Sequence, residues 1–151
     1  MSVLRGSYDG KVDAKGRVSV PSKCRKLLPE QLVIAKHPTK ELPALVVYPE
    51  EDYNQWFKTL MQSMAGEKAN VELQAELIDE YYKDSLDVTP DDLGRITIPP
   101  FLREYAGITN AVVITGSLDH LIIRTPEMLK KYEQRFANNS VYATSASNPT
   151  E

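Results

Sequence analysis

Asp13-Ala-Lys-Gly-Arg17-Val-Ser-Val-Pro21-Ser-Lys-Cys-Arg25 and Asp91-Asp-Leu-Gly-Arg95-Ile-Thr-Ile-Pro99-Pro-Phe-Leu-Arg103 align without a gap at an offset of 78 residues. Asp, Gly, Arg, Pro and the final Arg are identical, and the three residues between Arg and Pro are conservative exchanges. The likeness continues with small shifts. Gln31-Leu-Val-Ile-Ala-Lys36 matches Asn110-Ala-Val-Val-Ile-Thr115, and Leu45-Val-Val-Tyr48 matches Leu121-Ile-Ile-Arg124. Self-similarity at a fixed period marks one supersecondary unit used twice, so the chain reads as a tandem duplication.

Each half is expected to follow the same course. Tyr8 to Asp13, and Leu86 to Asp91, run as strands into a turn at Lys15-Gly16 or Leu93-Gly94, where glycine supplies positive φ. A β-hairpin is the predicted result. Val18-Ser-Val20 and Ile96-Thr-Ile98 alternate apolar and polar residues, the pattern of a strand with one buried face. Proline ends that strand. Ser22 as an N-cap and Pro100 as a first helical residue then open a short helix, which Gly107 stops in the second copy. Two more strands complete a β-β-α-β-β unit, joined by the loops 37–43 and 116–119.

Between the copies the spacing predicts two helices. Pro49-Glu-Glu-Asp opens the first with acidic residues at the positive end of the helix dipole, and Tyr53, Trp56, Phe57, Leu60, Met61 and Met64 form its apolar stripe. Such a stripe reads as core. Gly66 breaks the helix, and 69–82 forms the second with Val71, Leu77, Ile78 and Tyr81 turned inward. The polar segment 138–151 is expected to fray. The predicted organisation is a first repeat unit at 7–52, a helical connector at 53–84, a second unit at 85–128, and a C-terminal helix with a flexible tail at 129–151.

With 151 residues, the chain has length for one globular unit or two very small ones. Its 42% hydrophobic and 26% charged residues exclude a fibrous or wholly disordered protein. The apolar runs Ala44 to Tyr48 and Ala111 to Ile114 are strand-sized, and the first five residues open no secretory signal, so no membrane role is expected. A lone cysteine, Cys24, forms no internal disulfide and points to a reducing cytoplasm. Net charge is −3, which argues against a nonspecific polycation, but it is unevenly spread. Residues 1–28 carry seven Lys or Arg against Asp9 and Asp13, whereas residues 29–94 carry five against fourteen acids. A basic first segment beside an acidic middle can orient a molecule on a polyanion.

Asp-x-x-x-Arg across a turn has two compatible readings. The carboxylate can bond turn amides and pair with the guanidinium, bracing the turn. The arginine so held can present a planar fork to phosphate oxygens or to the O6/N7 edge of guanine, losing less entropy on binding.

These two motifs, Arg25, the run Leu102-Arg103-Glu104-Tyr105-Ala106-Gly107-Ile108 and the opening Arg5-Gly6 together resemble the MraZ family of bacterial transcriptional regulators over residues 1–130. The resemblance implies an α+β, mainly β fold of two SpoVT-AbrB-type swapped-hairpin β-barrel units in pseudo-twofold arrangement. It further implies a homo-oligomeric ring, located in the cytoplasm at the nucleoid. The implied partner is double-stranded DNA carrying short direct repeats upstream of the protein's own gene, which heads a division and cell wall cluster that the family generally represses. Carried over by position, the DNA-binding residues are Asp13, Arg17, Asp91 and Arg95. Charge and placement add Lys15, Arg25 and Arg103. Leu93 stands where the first copy has Lys15, so Arg17 is expected to matter more than Arg95.

An enzyme would have to draw on Asp13 or Asp91 with His37, His120 or Cys24, and no nucleophile elbow, phosphate loop or metal-ligand spacing accompanies them. No catalysis, cofactor, metal or small-molecule substrate is expected. The alternative is an antitoxin-like barrel that binds DNA and a protein partner. It calls for an acidic or amphipathic C-terminal segment, and 138–151 has one acid and few apolar anchors.

Overall fold

A computed structural model describes residues 3–38, 41–65 and 71–139. In chain order the first repeat supplies β1 (Ser7–Lys11), β2 (Arg17–Ser19), α1 (Ser22–Arg25), β3 (Leu32–His37) and β4 (Ala44–Pro49). The connector supplies α2 (Glu50–Ala65), α3 (Val71–Glu80) and a 3-10 turn at Tyr82–Asp84. The second repeat follows with β5 (Leu86–Val88), β6 (Arg95–Thr97), α4 (Pro100–Ala106), β7 (Ala111–Gly116) and β8 (Leu121–Arg124), before α5 (Pro126–Asn139). Both repeats therefore have the β-β-α-β-β order that their sequences imply.

The strands do not pair as two hairpins. β1 and β2 share a turn but no ladder: β1 pairs antiparallel with β7 of the other repeat, and β5 pairs with β3 of the first. β2 and β6 pair with each other, as do β4 and β8. Every one of these pairings joins one repeat to the other. Val18 lies opposite Ile96, its own equivalent at an offset of 78, so the ladder is symmetric under exchange of the repeats. The physical reason is burial. A three-residue strand with one apolar side chain cannot form a core alone, but side by side Val18 and Ile96 are each only 1% exposed.

The result is an antiparallel six-stranded sheet, ordered β1-β7-β8-β4-β3-β5, and a separate two-stranded ribbon of β2 and β6. This is α+β architecture. The six-stranded sheet stays open, with β1 and β5 as its edges, and no pairing among the described residues closes it into the expected barrel.

Alternation along the central strands divides the sheet's side chains between two layers. Leu32, Ile34, Leu45, Val47, Leu121 and Ile123 join Val18, Ile96, Ile98 and Leu102 in one core between the sheet, the ribbon and the short helices. Val33, Ala35, Ala44, Val46, Tyr48 and Ile122 face the opposite side, where Tyr53 and Trp56 of α2 cover them. Cys24 belongs to the first layer and packs there as a small apolar residue.

Local signals were mostly followed. Pro100 opens α4, and Gly107 ends it in the left-handed conformation. Ser22, however, is no N-cap: Pro21 occupies that position with extended backbone, and Ser22 is the first helical residue. Tyr53 and Phe57 are buried as expected, but Val71 and Ile78 are not inward, being 76% and 43% exposed. Leu77 and Tyr81 define the buried stripe of this segment. At about 100° per residue, Ile78 and Val71 fall roughly 100° and 120° away from Leu77. The Met64 side chain, Gly66 and the tail from 140 onward lie outside the described residues. No helix among the described residues is long and apolar enough to cross a membrane.

Candidate nucleic-acid interface

The two Asp-x-x-x-Arg motifs adopt one geometry twice. Asp13 Oδ1 accepts the backbone N–H of Lys15 at 3.0 Å and of Arg17 at 2.8 Å, while Oδ2 accepts the Arg17 Nε–H at 2.8 Å. In the second repeat Asp91 Oδ1 accepts from Leu93 N at 3.0 Å and Arg95 N at 2.9 Å, and Oδ2 from Arg95 Nε at 2.9 Å. Each carboxylate thus satisfies the turn with one oxygen and orients the arginine with the other. The backbone N–H of Arg17 lowers the Asp13 pKa most, with the guanidinium and the Lys15 amide adding to it, and Arg95 and Leu93 act in the same way on Asp91.

Only the Nε of each guanidinium is engaged by these bonds. The Nη groups of Arg17 and Arg95 make no hydrogen bond to a described residue, and both side chains remain 29% exposed. Their ion pairs are surface pairs, worth little to stability. Their geometric effect is larger, because a guanidinium pinned at Nε points its remaining fork in one direction.

Glycine closes each turn. Gly16 and Gly94 have φ of 83° and 78°, the left-handed conformation. The backbones are also crowded: a Cβ on Gly16 would sit 3.0 Å from the Ile98 carbonyl oxygen, and one on Gly94 would sit 2.6 Å from Arg25 Nη1. Gly16 O accepts from Ile98 N at 2.8 Å and Gly94 O from Val20 N at 2.9 Å, so the turns seat at opposite ends of the ribbon.

Ribbon register places the arginines on a shared face. Arg17 pairs with Thr97 and Arg95 with Ser19, while Val18 and Ile96 between them point into the core. Arg17, Ser19, Arg95 and Thr97 consequently face outward together. Diagonal neighbours across such a ladder are about 7–8 Å apart. A two-stranded antiparallel ribbon is one of the two elements that fit the major groove of B-form DNA.

The other expected residues have different positions. Lys15 stands exposed at the first turn, at the tip rather than on the ribbon face. Arg25 and Arg103 cross between repeats. Arg103 Nε–H donates to the Ile98 carbonyl at 3.0 Å with its guanidinium against Gly16, and Arg25 lies against Gly94 with Nη2 3.4 Å from the Asp92 carbonyl. Each helix arginine therefore backs the turn of the opposite repeat. Ser19 and Thr97 were not singled out from sequence, although Arg-x-Ser and Arg-x-Thr place them on the arginine side of each strand. His120 stacks on Tyr48 with ring centroids 4.1 Å apart, and His37 lies on β3, which three strands separate from β1 in the sheet. Burial, aided by the charges of Arg124 and His120, pushes His37 down to about 4. Among the described residues, no group of three or more His, Cys, Asp or Glu side chains is placed to hold a metal ion.

Comparison with known proteins yields a consistent set. Residues 83–148 match the family model described as "MraZ protein, putative antitoxin-like". A Lachnoclostridium phytofermentans protein named Transcriptional regulator MraZ is 36% identical over 126 residues, 83% of each chain. A Mycolicibacterium gilvum protein of the same name is 31% identical over 140 residues, 89% of each chain. One from Dictyoglomus thermophilum is 32% identical over 129 residues, 85% of this chain and 84% of its own.

Proposed function

The chain belongs to the MraZ family, and on that premise we propose that it is a sequence-specific, DNA-binding regulator of transcription. The observation that carries this reading is the pair of arginines on one outward ribbon face, each held through Nε with its Nη fork open. Such a fork can bond guanine O6 and N7 together, and the neighbouring Ser19 and Thr97 hydroxyls can reach base edges or phosphates. Asp13 and Asp91 orient the arginines without touching DNA. Lys15 meets the phosphate backbone, while Arg25 and Arg103 hold the turns in place and add positive charge behind them. Pairing between the repeats supports the SpoVT-AbrB-type swapped-hairpin reading of the fold.

One protomer offers few contacts, and neutralising several phosphates is needed for useful affinity. Assembly into a homo-oligomeric ring would supply them. Neighbouring protomers on successive direct repeats raise the effective concentration of each later contact, making binding tight and dependent on spacing. The target is then a set of repeats upstream of the protein's own gene, the outcome is repression, and the site of action is the cytoplasmic nucleoid.

A mobility-shift titration tests this reading. Duplex DNA from upstream of the protein's own coding sequence is expected to shift at protein concentrations that leave a scrambled duplex free. Equal, weak binding to both would overturn it. The antitoxin-like alternative draws on the description of the family model. Co-purification with a small protein partner would favour it, and a large homo-oligomer alone by light scattering would favour the ring.

A further inference from the structure

The symmetry of the ribbon is broken at its tips. Equivalent residues match at Asp13 and Asp91, Gly16 and Gly94, Arg17 and Arg95, Arg25 and Arg103, and nearly so at Ser19 and Thr97. Between Asp and Gly, however, the first turn reads Ala14-Lys15 and the second Asp92-Leu93. One tip carries a cation. The other carries a carboxylate beside a leucine that is 69% exposed. Neither Lys15 nor Asp92 forms an ion pair with a described residue, although the Arg25 guanidinium stands behind the second tip, with Nη2 3.4 Å from the Asp92 carbonyl. The tips sit at opposite ends of the ribbon, because Gly16 bonds Ile98 and Gly94 bonds Val20.

A ribbon with exact twofold symmetry would favour a palindromic site and bind it equally well in either direction. We infer that the unlike tips give each protomer a fixed direction on DNA, with Lys15 on a phosphate and Leu93 against a thymine C5-methyl group. This rests on the DNA-binding reading above and adds to it the chemistry that selects direction. The Asp92 carboxylate makes the second tip a poorer phosphate contact than the Lys15 tip, which leaves that end to base edges. There the thymine methyl is the one apolar group exposed in the major groove, and leucine is its fitting contact. The turn fixes the backbone of Leu93, whose N–H donates to Asp91 Oδ1, and leaves its side chain exposed at the tip.

Fluorescence anisotropy with two versions of the upstream duplex, one with thymine and one with uracil throughout, isolates the methyl groups. Wild-type protein is expected to bind the uracil duplex about fourfold more weakly for each protomer engaged, the worth of one buried methyl-sized group. Leu93→Ser is expected to abolish that discrimination and leave the salt dependence unchanged. Lys15→Ala is expected to leave the discrimination intact while reducing the slope of log affinity against log salt by about 0.9 per engaged protomer. Both positions are exposed at turn tips, so circular dichroism should show folded variants. If Leu93→Ser keeps the wild-type thymine-to-uracil ratio, or both variants alter the same readout, the inference is overturned. If the wild-type protein fails to prefer the upstream duplex over a scrambled one, the DNA-binding reading falls, and this inference falls with it.

Discussion

The six-stranded sheet and the two-stranded ribbon use the same repeat for different ends. In β4 and β8, at the centre of the sheet, successive side chains enter the two core layers, so Ala44 to Tyr48 and Leu121 to Ile123 are buried on both faces. In the ribbon only Val18 and Ile96 turn inward, leaving Arg17, Ser19, Arg95 and Thr97 outside. A strand buried on both sides has no face left for a partner. The ribbon has one, and the sheet beneath it supplies the rigidity that keeps that face in shape.

Substitutions should separate the two roles. Leu45→Ala, at a fully buried position of the sheet, is expected to lower stability by about 2–5 kcal/mol in chemical denaturation. DNA affinity per folded molecule should stay close to that of the wild-type protein. A comparable loss of affinity in the folded Leu45→Ala protein would show that the two regions are not distinct.

On the ribbon, Asp13→Asn and Asp13→Ala sharpen the contrast further. Asparagine can still accept the Lys15 and Arg17 amides through its carbonyl oxygen but cannot accept the Arg17 Nε–H. Asp13→Asn is therefore expected to keep the turn and lose DNA affinity by about tenfold, the scale of one charge-assisted hydrogen bond. Asp13→Ala removes both functions and should also lower the melting temperature. Equal affinities for Asp13→Asn and wild type would mean that the arginine needs no holder.

A third contrast lies in the response to acid. His37, at the end of a sheet strand, has a pKa in the folded protein of about 4 against an ordinary 6.5, so the unfolded chain takes up its proton first. Stability should fall as pH drops from 6.5 toward 4, and His37→Gln should flatten that part of the melting-temperature profile. Asp13 and Asp91 have lowered pKa values, so their contribution persists above the ordinary carboxylate range and disappears only as pH falls through and below it. A profile unchanged by His37→Gln would remove the sheet's share of this comparison.

Much of this organisation is legible in the chain. The repeat announced the β-β-α-β-β unit, and Asp-x-x-x-Arg around a glycine turn implied the carboxylate bonds that both copies make. Pairing was harder to read. Tyr8 to Asp13 followed by a turn and Val18-Ser-Val20 looks like a hairpin, because sequence signals are local and ladder partners in the other repeat, such as Ile114 for Tyr8 and Ile96 for Val18, leave no mark on either strand. The positions of Arg25 and Arg103 follow from the same exchange, since each reaches a turn that its own repeat does not contain. In α3 the apolar residues outnumber the inward positions, and only contact with α2 decides that Leu77 is covered and Ile78 is not.

The central claim is that the twin-arginine ribbon face binds DNA. Its most direct test is an anisotropy titration of the upstream duplex with wild type, Arg17→Ala, Arg95→Ala and the double variant, each checked for its native melting curve. Each single change is expected to weaken binding by about 5- to 150-fold, the range of one bidentate base contact, with Arg17→Ala the more severe and the double variant reduced to nonspecific affinity. A double variant that is folded and binds the upstream duplex as tightly as wild type would contradict the account.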